Sequence, residues 1–244
     1  MSAKGKFFST DFKSFNGKIP FIITDIVTKL DENHSETFEG IFRKNGSKQV
    51  VDLLCQELEN GKVQEWKDDY LDVYVLAGTL SRYFAKHSKM FDSIIDQEMQ
   101  QRLQEIYDNY KNNEEERISQ YKNFFNSSSD TRKNSLAFFL KYLHKVSTYS
   151  EQNLMHAGNL STVFYINFFP MFDEANSNKP QDISFYNGLK NSVNKQILQD
   201  LIEKGDIILE EINNENFMSD EDIQNFVFPG APEPKKRSFS CLLI

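Results

Sequence analysis

The chain has 244 residues, of which 39% are hydrophobic and 14% aromatic, with 22 phenylalanines and 1 tryptophan. This composition excludes a disordered chain and favours a folded protein with a phenylalanine-rich core. The formal net charge of −8 argues against nucleic acid as a partner for the body of the protein. The low counts of 10 glycines and 6 prolines favour long helices over many short strands and turns.

The first half of the chain shows one polar arm and three helical patterns. Residues 1–17 are polar with scattered phenylalanines and are predicted to form a loosely held N-terminal arm. From residue 19 onward apolar residues recur at helical spacing, and Pro20 suits a first helical turn. Ser47 is a candidate cap for a second helix that closes near Gly61. Asp72 is a candidate cap for a third helix.

The second half of the chain is also helical in pattern. Apolar residues recur at helical spacing over residues 95–110, 136–146, 157–169 and 183–212. The highly charged run Asn112–Arg117 is predicted to be a solvated connection. No strand pattern competes with the helices. We therefore predict an all-α fold with a single helical domain over residues 18–213 and a flexible tail over residues 214–244.

The two cysteines, Cys55 and Cys241, are too few for a disulfide framework or a metal-ligand cluster, so no metal site is expected. Cys55 falls in an apolar helical stripe, which predicts a buried side chain. Met1–Phe8 lacks the apolar run of a secretory signal, and no segment has the length and apolar character of a membrane span. We expect a reducing, cytosolic compartment.

The tail carries a lipidation pattern. Three prolines between residues 229 and 234 precede the basic cluster Lys235, Lys236 and Arg237. The sequence from Cys241 to Ile244 then matches the Cys-aliphatic-aliphatic-X motif for prenylation. One lipid chain binds membranes only marginally, and the basic cluster supplies a second signal toward an anionic surface. The alternative is an accidental C-terminal cysteine.

The stretch Glu39-Gly40-Ile41-Phe42-Arg43-Lys44-Asn45-Gly46 places an arginine in a short loop between two predicted helices. A glycine on each side permits a tight turn, including positive φ, at little steric cost. The two apolar residues that precede Arg43 can anchor the loop in a core while Arg43 reaches outward. Arginine is always charged, planar and rich in donors, which suits it to phosphate oxygens.

This loop resembles the arginine-finger loop of the RhoGAP family, the GTPase-activating proteins for Rho-class GTPases. The family typically reads Glu-Gly-Ile-Phe-Arg-x-Ser-Gly, and only Asn45 departs from it. Residues 19–22 and 72–77 resemble two further landmarks, and residues 150–161 resemble the family's Ser-x-x-Asn-x-Met-x-x-x-Asn-Leu-Ala motif. The landmarks occur in the family's order over residues 18–212. The resemblance implies the family's helical fold and its activity toward a Rho-class small GTPase.

The third predicted helix departs from the family's Leu-Lys-x-x-Leu-Arg pattern. Ser81 stands at the lysine position and Ala85 at the arginine position. Arg82 and Lys86 come one residue later, which rotates a helical side chain by about 100°. The resemblance makes both candidate GTPase contacts, and the alternative is an exposed basic helix face.

The resemblance also assigns roles to three other residues. Arg43 would be the catalytic finger, and the alternative is a surface arginine that donates to a carbonyl oxygen or pairs with Glu39. Lys44 would steer toward an acidic GTPase surface or would simply be solvated. Asn159 matches the family's conserved asparagine and would contact the GTPase, and a helix cap or a buried amide is compatible with that role.

These observations predict an activator of GTP hydrolysis by a partner GTPase, rather than an enzyme with its own substrate. GTP and Mg²⁺ would belong to the partner, and the chain's own added group would be a prenyl lipid on Cys241. The protein is then expected at the cytoplasmic face of a membrane. One alternative is a GTPase-binding module that has lost activity through Ser81 and Ala85. Another is a helical membrane scaffold without a GTPase partner, which leaves the ordered motifs unexplained.

Overall fold

The computed structural model describes residues 6–89, 92–127, 130–170, 180–209, 214–226 and 228. Within these residues the secondary structure is helical, apart from an isolated parallel bridge between Ile19 and Phe217. The predicted all-α fold is therefore confirmed. The α-helices are α1 (Phe21–Glu32), α2 (Lys48–Asn60), α3 (Val73–Lys89), α4 (Gln97–Asn109), α5 (Glu114–Asn126), α6 (Thr131–Thr148), α7 (Ser150–Asn153), α8 (Ala157–Phe168), α9 (Pro180–Glu203), α10 (Gly205–Ile208) and α11 (Asp220–Gln224).

The ends of α2 and α3 follow from local sequence. The Asp72 carboxylate accepts hydrogen bonds from the backbone N–H groups of Tyr74 and Val75 at 2.9 Å each, which caps α3 as predicted. Helix α2 begins directly after Ser47, but the Ser47 hydroxyl makes no capping bond. Gly61 ends α2 with a φ of 140°, a conformation that favours glycine.

The charged run Asn112–Arg117 is the start of α5 and not a simple connection. The Asn113 side chain accepts from the N–H of Glu116 at 3.2 Å, and three glutamates occupy the first turn. Negative charge is favourable there because it opposes the positive end of the helix dipole. The prediction of a solvated face is wrong for Arg117, whose side chain is 11% exposed and whose Nε donates to Asp200 at 2.9 Å.

The core is rich in phenylalanine, as the composition predicted. Phe84 on α3, Phe139 on α6 and Phe168 on α8 are at most 1% exposed. Their ring centroids lie 5.0–5.9 Å apart, in edge-on or tilted pairs. Each buried ring contributes about 1.5–3 kcal/mol relative to an exposed one. This aromatic cluster fixes the relative positions of the three helices.

The described part of the predicted N-terminal arm is packed into the domain. It forms two short 3₁₀ turns whose phenylalanines are at most 3% exposed: Phe7, Phe8, Phe12 and Phe15. The N–H of Phe12 donates to the Asp92 carboxylate at 2.9 Å, and its ring centroid lies 4.7 Å from that of His87. The expectation of a loose arm is wrong for residues 6–17, because these rings complete the core without following a helical period.

Residues 214–226 and Phe228 also pack on the domain, although the flexible tail was predicted to begin at residue 214. The N–H of Ile19 donates to the carbonyl oxygen of Asn216 at 2.6 Å. The Phe228 ring centroid lies 4.7 Å from that of Phe7, so the two ends of the described chain meet. The prediction of a flexible tail is therefore wrong for these described residues.

The predicted membrane-binding residues Lys235, Lys236, Arg237 and Cys241 lie outside the described residues. Among the residues that are described, no helix combines the length and the apolar character required to cross a bilayer. Membrane contact through the tail thus stays a prediction.

Candidate functional site

The Arg43 loop, residues 38–46, connects α1 to α2 through a tight turn. Gly40 adopts a φ of 69°, which glycine tolerates without steric cost. The Gly40 carbonyl oxygen accepts hydrogen bonds from the N–H groups of Arg43 and Lys44 at 2.9 and 2.8 Å. These bonds close the turn directly beneath the arginine.

Two apolar residues anchor the loop, as the sequence predicted. Ile41 is fully buried and Phe42 is 6% exposed. The Phe42 ring meets the ring of Phe164 at 5.0 Å and that of Phe139 at 5.8 Å, both edge-on. Phe42 also has a φ of 66°, which is strained for a bulky residue. Its burial in the aromatic cluster stabilises this backbone conformation and turns the next residue, Arg43, outward.

Arg43 is exposed and has neither an ion pair nor a side-chain hydrogen bond with any described residue. The alternative role for Arg43 was an ion pair with Glu39. Glu39 pairs with Lys44 instead, and the Lys44 Nζ lies 2.9 Å from the Glu39 carboxylate. The hydrogen bond from Lys44 is the main reason that the pKa of Glu39 is lowered, and the charge of Arg43 adds a smaller effect. Because Lys44 pairs with the Glu39 carboxylate, the Arg43 guanidinium is available to contact another molecule.

The first turn of α3 holds the loop from one side. The Tyr74 hydroxyl donates to the backbone carbonyl oxygen of Glu39 at 2.9 Å. At the other end of the loop, Gly46 lies so close to α3 that an added Cβ would be 2.5 Å from the backbone nitrogen of Val75. Sequence reasoning assigned no role to Tyr74 and explained Gly46 by turn conformation alone, because these contacts bridge about 30 residues of chain.

Asn153, at the end of α7, holds the loop from the other side. Its backbone carbonyl oxygen accepts from the N–H of Gly40 at 2.7 Å. Its fully buried side chain donates to the carbonyl oxygens of Glu36 and Val146 and accepts from the N–H of Met155, each at 2.7 Å. Asn153 was part of the recognised motif but was not predicted as a site residue. Its role follows from these four bonds.

Asn159, predicted as a GTPase contact, is half-buried in the first turn of α8. Its side-chain amide donates to the carbonyl oxygen of Leu154 at 2.9 Å. Leu154 directly follows Asn153 and is 49% exposed. The turn at residues 153–154 therefore contacts both the Arg43 loop and Asn159, and its Leu154 side chain is exposed.

The two basic residues predicted on α3 are engaged with other side chains. Arg82 forms an ion pair with Asp52 of α2. The Nζ of Lys86 lies 3.7 Å from the Glu59 carboxylate and 5.3 Å from the centroid of the Phe8 ring. In the part of the chain that the structure describes, neither side chain contacts the Arg43 loop. The structure brings Lys44 next to Arg43 but does not bring Arg82 or Lys86 there.

The surface beside the loop is acidic on one side. An open groove of about 630 Å³ adjoins the loop and is lined in part by Asn45, Asp68, Asp69 and Asp72. Over the described residues, no group of three or more His, Cys, Asp and Glu side chains is arranged to hold a metal ion. Beside this groove, the anchored turn presents the exposed guanidinium of Arg43.

A comparison with protein families matches residues 20–173 to the RhoGAP domain. Rho GTPase-activating protein 29 of Danio rerio is 27% identical over 164 residues, which cover 60% of this chain and 12% of that protein. Probable Rho-type GTPase-activating protein 3 of Schizosaccharomyces pombe is 26% identical over 162 residues, which cover 66% of this chain and 16% of that protein. The matched region thus represents less than a fifth of either relative.

Two solved structures share the fold. Human Rho GTPase activating protein 15 superposes with a TM-score of 0.65 at 16% identity, covering 79% of this chain and 84% of that chain. The BH domain from GRAF, the GTPase regulator associated with focal adhesion kinase, superposes with a TM-score of 0.60 at 18% identity. The match covers 78% of this chain and 94% of that chain. Since the family match extends over more than half of the chain and the fold agrees with it, this chain belongs to the RhoGAP domain family.

Proposed function

We propose that this chain stimulates GTP hydrolysis by a Rho-class small GTPase and that Arg43 acts as its arginine finger. Family membership and the names of the relatives support the activity. The observation that carries the role of Arg43 is its exposed guanidinium, which has no partner among the described residues although the loop beneath it is anchored. A side chain so placed is available to another molecule.

The mechanism follows from the chemistry of phosphoryl transfer. Hydrolysis of GTP on a small GTPase is slow because charge on the phosphate oxygens lacks sufficient compensation in the transition state. An inserted arginine supplies that compensation through directed hydrogen bonds, and such fingers accelerate the reaction by about 10³–10⁵-fold. GTP and Mg²⁺ belong to the GTPase. This chain contributes Arg43, with Lys44 and Asn159 as proposed contacts beside it.

A single-turnover assay tests this function. A Rho-class GTPase loaded with GTP and Mg²⁺ is mixed with excess wild-type chain or with Arg43→Ala, and phosphate release is followed. Wild type is expected to accelerate hydrolysis, and Arg43→Ala to return the rate to the intrinsic value while binding persists. Arg102→Ala is the matched control, because Arg102 is exposed on α4, a helix that packs on α5 and α9. Equal stimulation by wild type and Arg43→Ala contradicts the finger.

The second candidate is a binding module without stimulation. It is favoured by one observation: the side chains at the family's two basic positions are Ser81 and Ala85, while Arg82 and Lys86 are paired with carboxylates of α2. The same assay distinguishes the two functions. Binding to the GTP-loaded GTPase without acceleration by wild type would establish the module and rule out the activator.

We also propose that a prenyl group on Cys241, together with Lys235, Lys236 and Arg237, holds the chain at the cytoplasmic face of a membrane. The support is the sequence motif and its basic neighbours. A tether shared with a prenylated GTPase raises the effective concentration of both partners. The mass of the mature C-terminus tests lipid attachment, with Cys241→Ser as control. Flotation with anionic vesicles then tests the basic cluster through replacement of all three residues by glutamine.

A further inference from the structure

Residue Glu39 of the Arg43 loop is fixed by two bonds from different directions. Its carboxylate pairs with Lys44 inside the loop at 2.9 Å. Its backbone carbonyl oxygen accepts the hydroxyl hydrogen of Tyr74, also at 2.9 Å. The second bond restrains the main chain directly before Gly40, the residue whose positive φ starts the turn under Arg43.

Tyr74 is itself held firmly in the first turn of α3. Its N–H donates to the Asp72 carboxylate at 2.9 Å. Its ring meets the ring of Phe38 edge-on at a centroid distance of 6.3 Å. On the far end of the loop, a Cβ added to Gly46 would lie 2.7 Å from the carbonyl carbon of Tyr74. Tyr74 therefore contacts both ends of the loop, while Arg43 lies between them.

We propose that Tyr74 is a positioning residue for Arg43, and that its hydroxyl restrains the loop so that the guanidinium is presented in one place. This inference rests on the proposed finger role of Arg43. Its physical basis is that the reaction rate falls steeply when a catalytic group is displaced, by about 10²-fold for a 1 Å displacement. A hydrogen bond that fixes the backbone near the finger lowers the cost of ordering it at the transition state. Because Asn153 and Phe42 still hold the loop, loss of the hydroxyl alone reduces the rate only about three- to ten-fold.

Tyr74→Phe tests this proposal because it removes the hydroxyl and keeps the ring against Phe38. The matched control is Tyr110→Phe, at the end of α4. With a Rho-class GTPase in single-turnover conditions, Tyr74→Phe is expected to reduce the maximal hydrolysis rate about three- to ten-fold and to leave the dissociation constant unchanged. A merely structural role would weaken binding along with the rate. An unchanged rate, or an equal loss in Tyr110→Phe, overturns the proposal.

Amide hydrogen exchange gives a second readout that needs no GTPase. The N–H groups of Arg43 and Lys44 are bonded to the Gly40 carbonyl oxygen and report the order of the turn. Their exchange is expected to become about three- to ten-fold faster in Tyr74→Phe and to stay unchanged in Tyr110→Phe. If wild type fails to stimulate hydrolysis, the proposed function has failed, and exchange alone decides the restraint by Tyr74. Unchanged exchange at both amides overturns the proposal in either case.

Discussion

The N–H of Gly40 donates a 2.7 Å hydrogen bond to the backbone carbonyl oxygen of Asn153, which joins the Arg43 loop to the turn between α7 and α8. The side chain of Asn153 adds a bond to the Glu36 carbonyl oxygen on the same side of the loop. Asn153 thus holds the chain at two points that precede the apolar anchor Ile41–Phe42. Residues far apart in sequence thereby determine where Arg43 stands.

We expect Asn153→Ala to lower the free energy of unfolding by about 3 kcal/mol or more. The substitution leaves the carbonyl oxygens of Glu36 and Val146 and the N–H of Met155 buried without a side-chain partner, and each such loss costs about 1–3 kcal/mol. Urea denaturation measures the change. Asn159→Ala serves as control, since its side chain makes one bond near the surface and its loss should cost about 1 kcal/mol or less.

Gly46→Ala is expected to destabilise the fold by about 1–3 kcal/mol, because the new methyl group would overlap the backbone of α3 and neither segment can yield cheaply. Gly78→Ala is the control, and we expect it to change the free energy of unfolding in the opposite direction. At Gly78, inside α3, the added Cβ would meet only a Val51 methyl at 3.5 Å. Replacing a helix-interior glycine by alanine should then stabilise by about 0.5–1 kcal/mol. Thermal unfolding of both variants checks the contrast, and equal shifts in one direction would contradict it.

Sequence reasoning succeeded where structure follows from local pattern. The helical period located the main helices, Asp72 was recognised as the cap of α3, and Ile41 and Phe42 were recognised as anchors of the loop. Each of these depends on residues within one or two turns of chain. The ordered motifs added the family and, through it, the arrangement of the helices.

The remaining features depend on tertiary contacts that no local pattern reports. The positive φ of Phe42 is stabilised by aromatic rings from α6 and α8. The residues next to Phe42 in the sequence therefore do not predict this conformation. The Tyr74 hydroxyl donates to the carbonyl oxygen of Glu39, which lies 35 residues earlier in the chain. Lys86 faces Glu59 because the N-terminal segment and α2 meet α3 there. That segment looked like an arm since its phenylalanines follow no period.

Phe12→Ala tests whether the N-terminal segment belongs to the fold. Its fully buried ring contacts the rings of Tyr83 and His87, and the Arg132 guanidinium lies 5.4 Å from its centroid. We expect a loss of about 3–5 kcal/mol in the free energy of unfolding, as for other buried phenylalanines. The neighbouring Lys13→Ala removes an exposed side chain and should change stability by less than about 0.5 kcal/mol. Similar small changes in both variants would show that the segment is loosely held.

Cys55, half-buried on α2, should react as a weakly acidic thiol. Burial raises its pKa from 9.0 to about 11, although the nearby Arg82 guanidinium opposes this shift. The reactive thiolate is therefore scarce at neutral pH. At pH 8 a shift of this size lowers the thiolate fraction, and with it the alkylation rate, about 100-fold relative to an unshifted thiol. Iodoacetamide labelling followed by mass spectrometry, in a Cys241→Ser background, measures the rate at Cys55.

The pH profile of this reaction gives the sharper test. Since the pKa of the folded state lies above that of the unfolded state, the native Cys55 binds its proton more tightly. The alkylation rate should rise about tenfold per pH unit from pH 8 to pH 10, and stability should begin to fall as the pH rises above 9. In guanidinium the chain unfolds and Cys55 is no longer buried. The alkylation rate of the unfolded chain should therefore level off near pH 9. A plateau near pH 9 in the folded protein would show that water reaches the Cys55 sulfur and that α2 does not shield it.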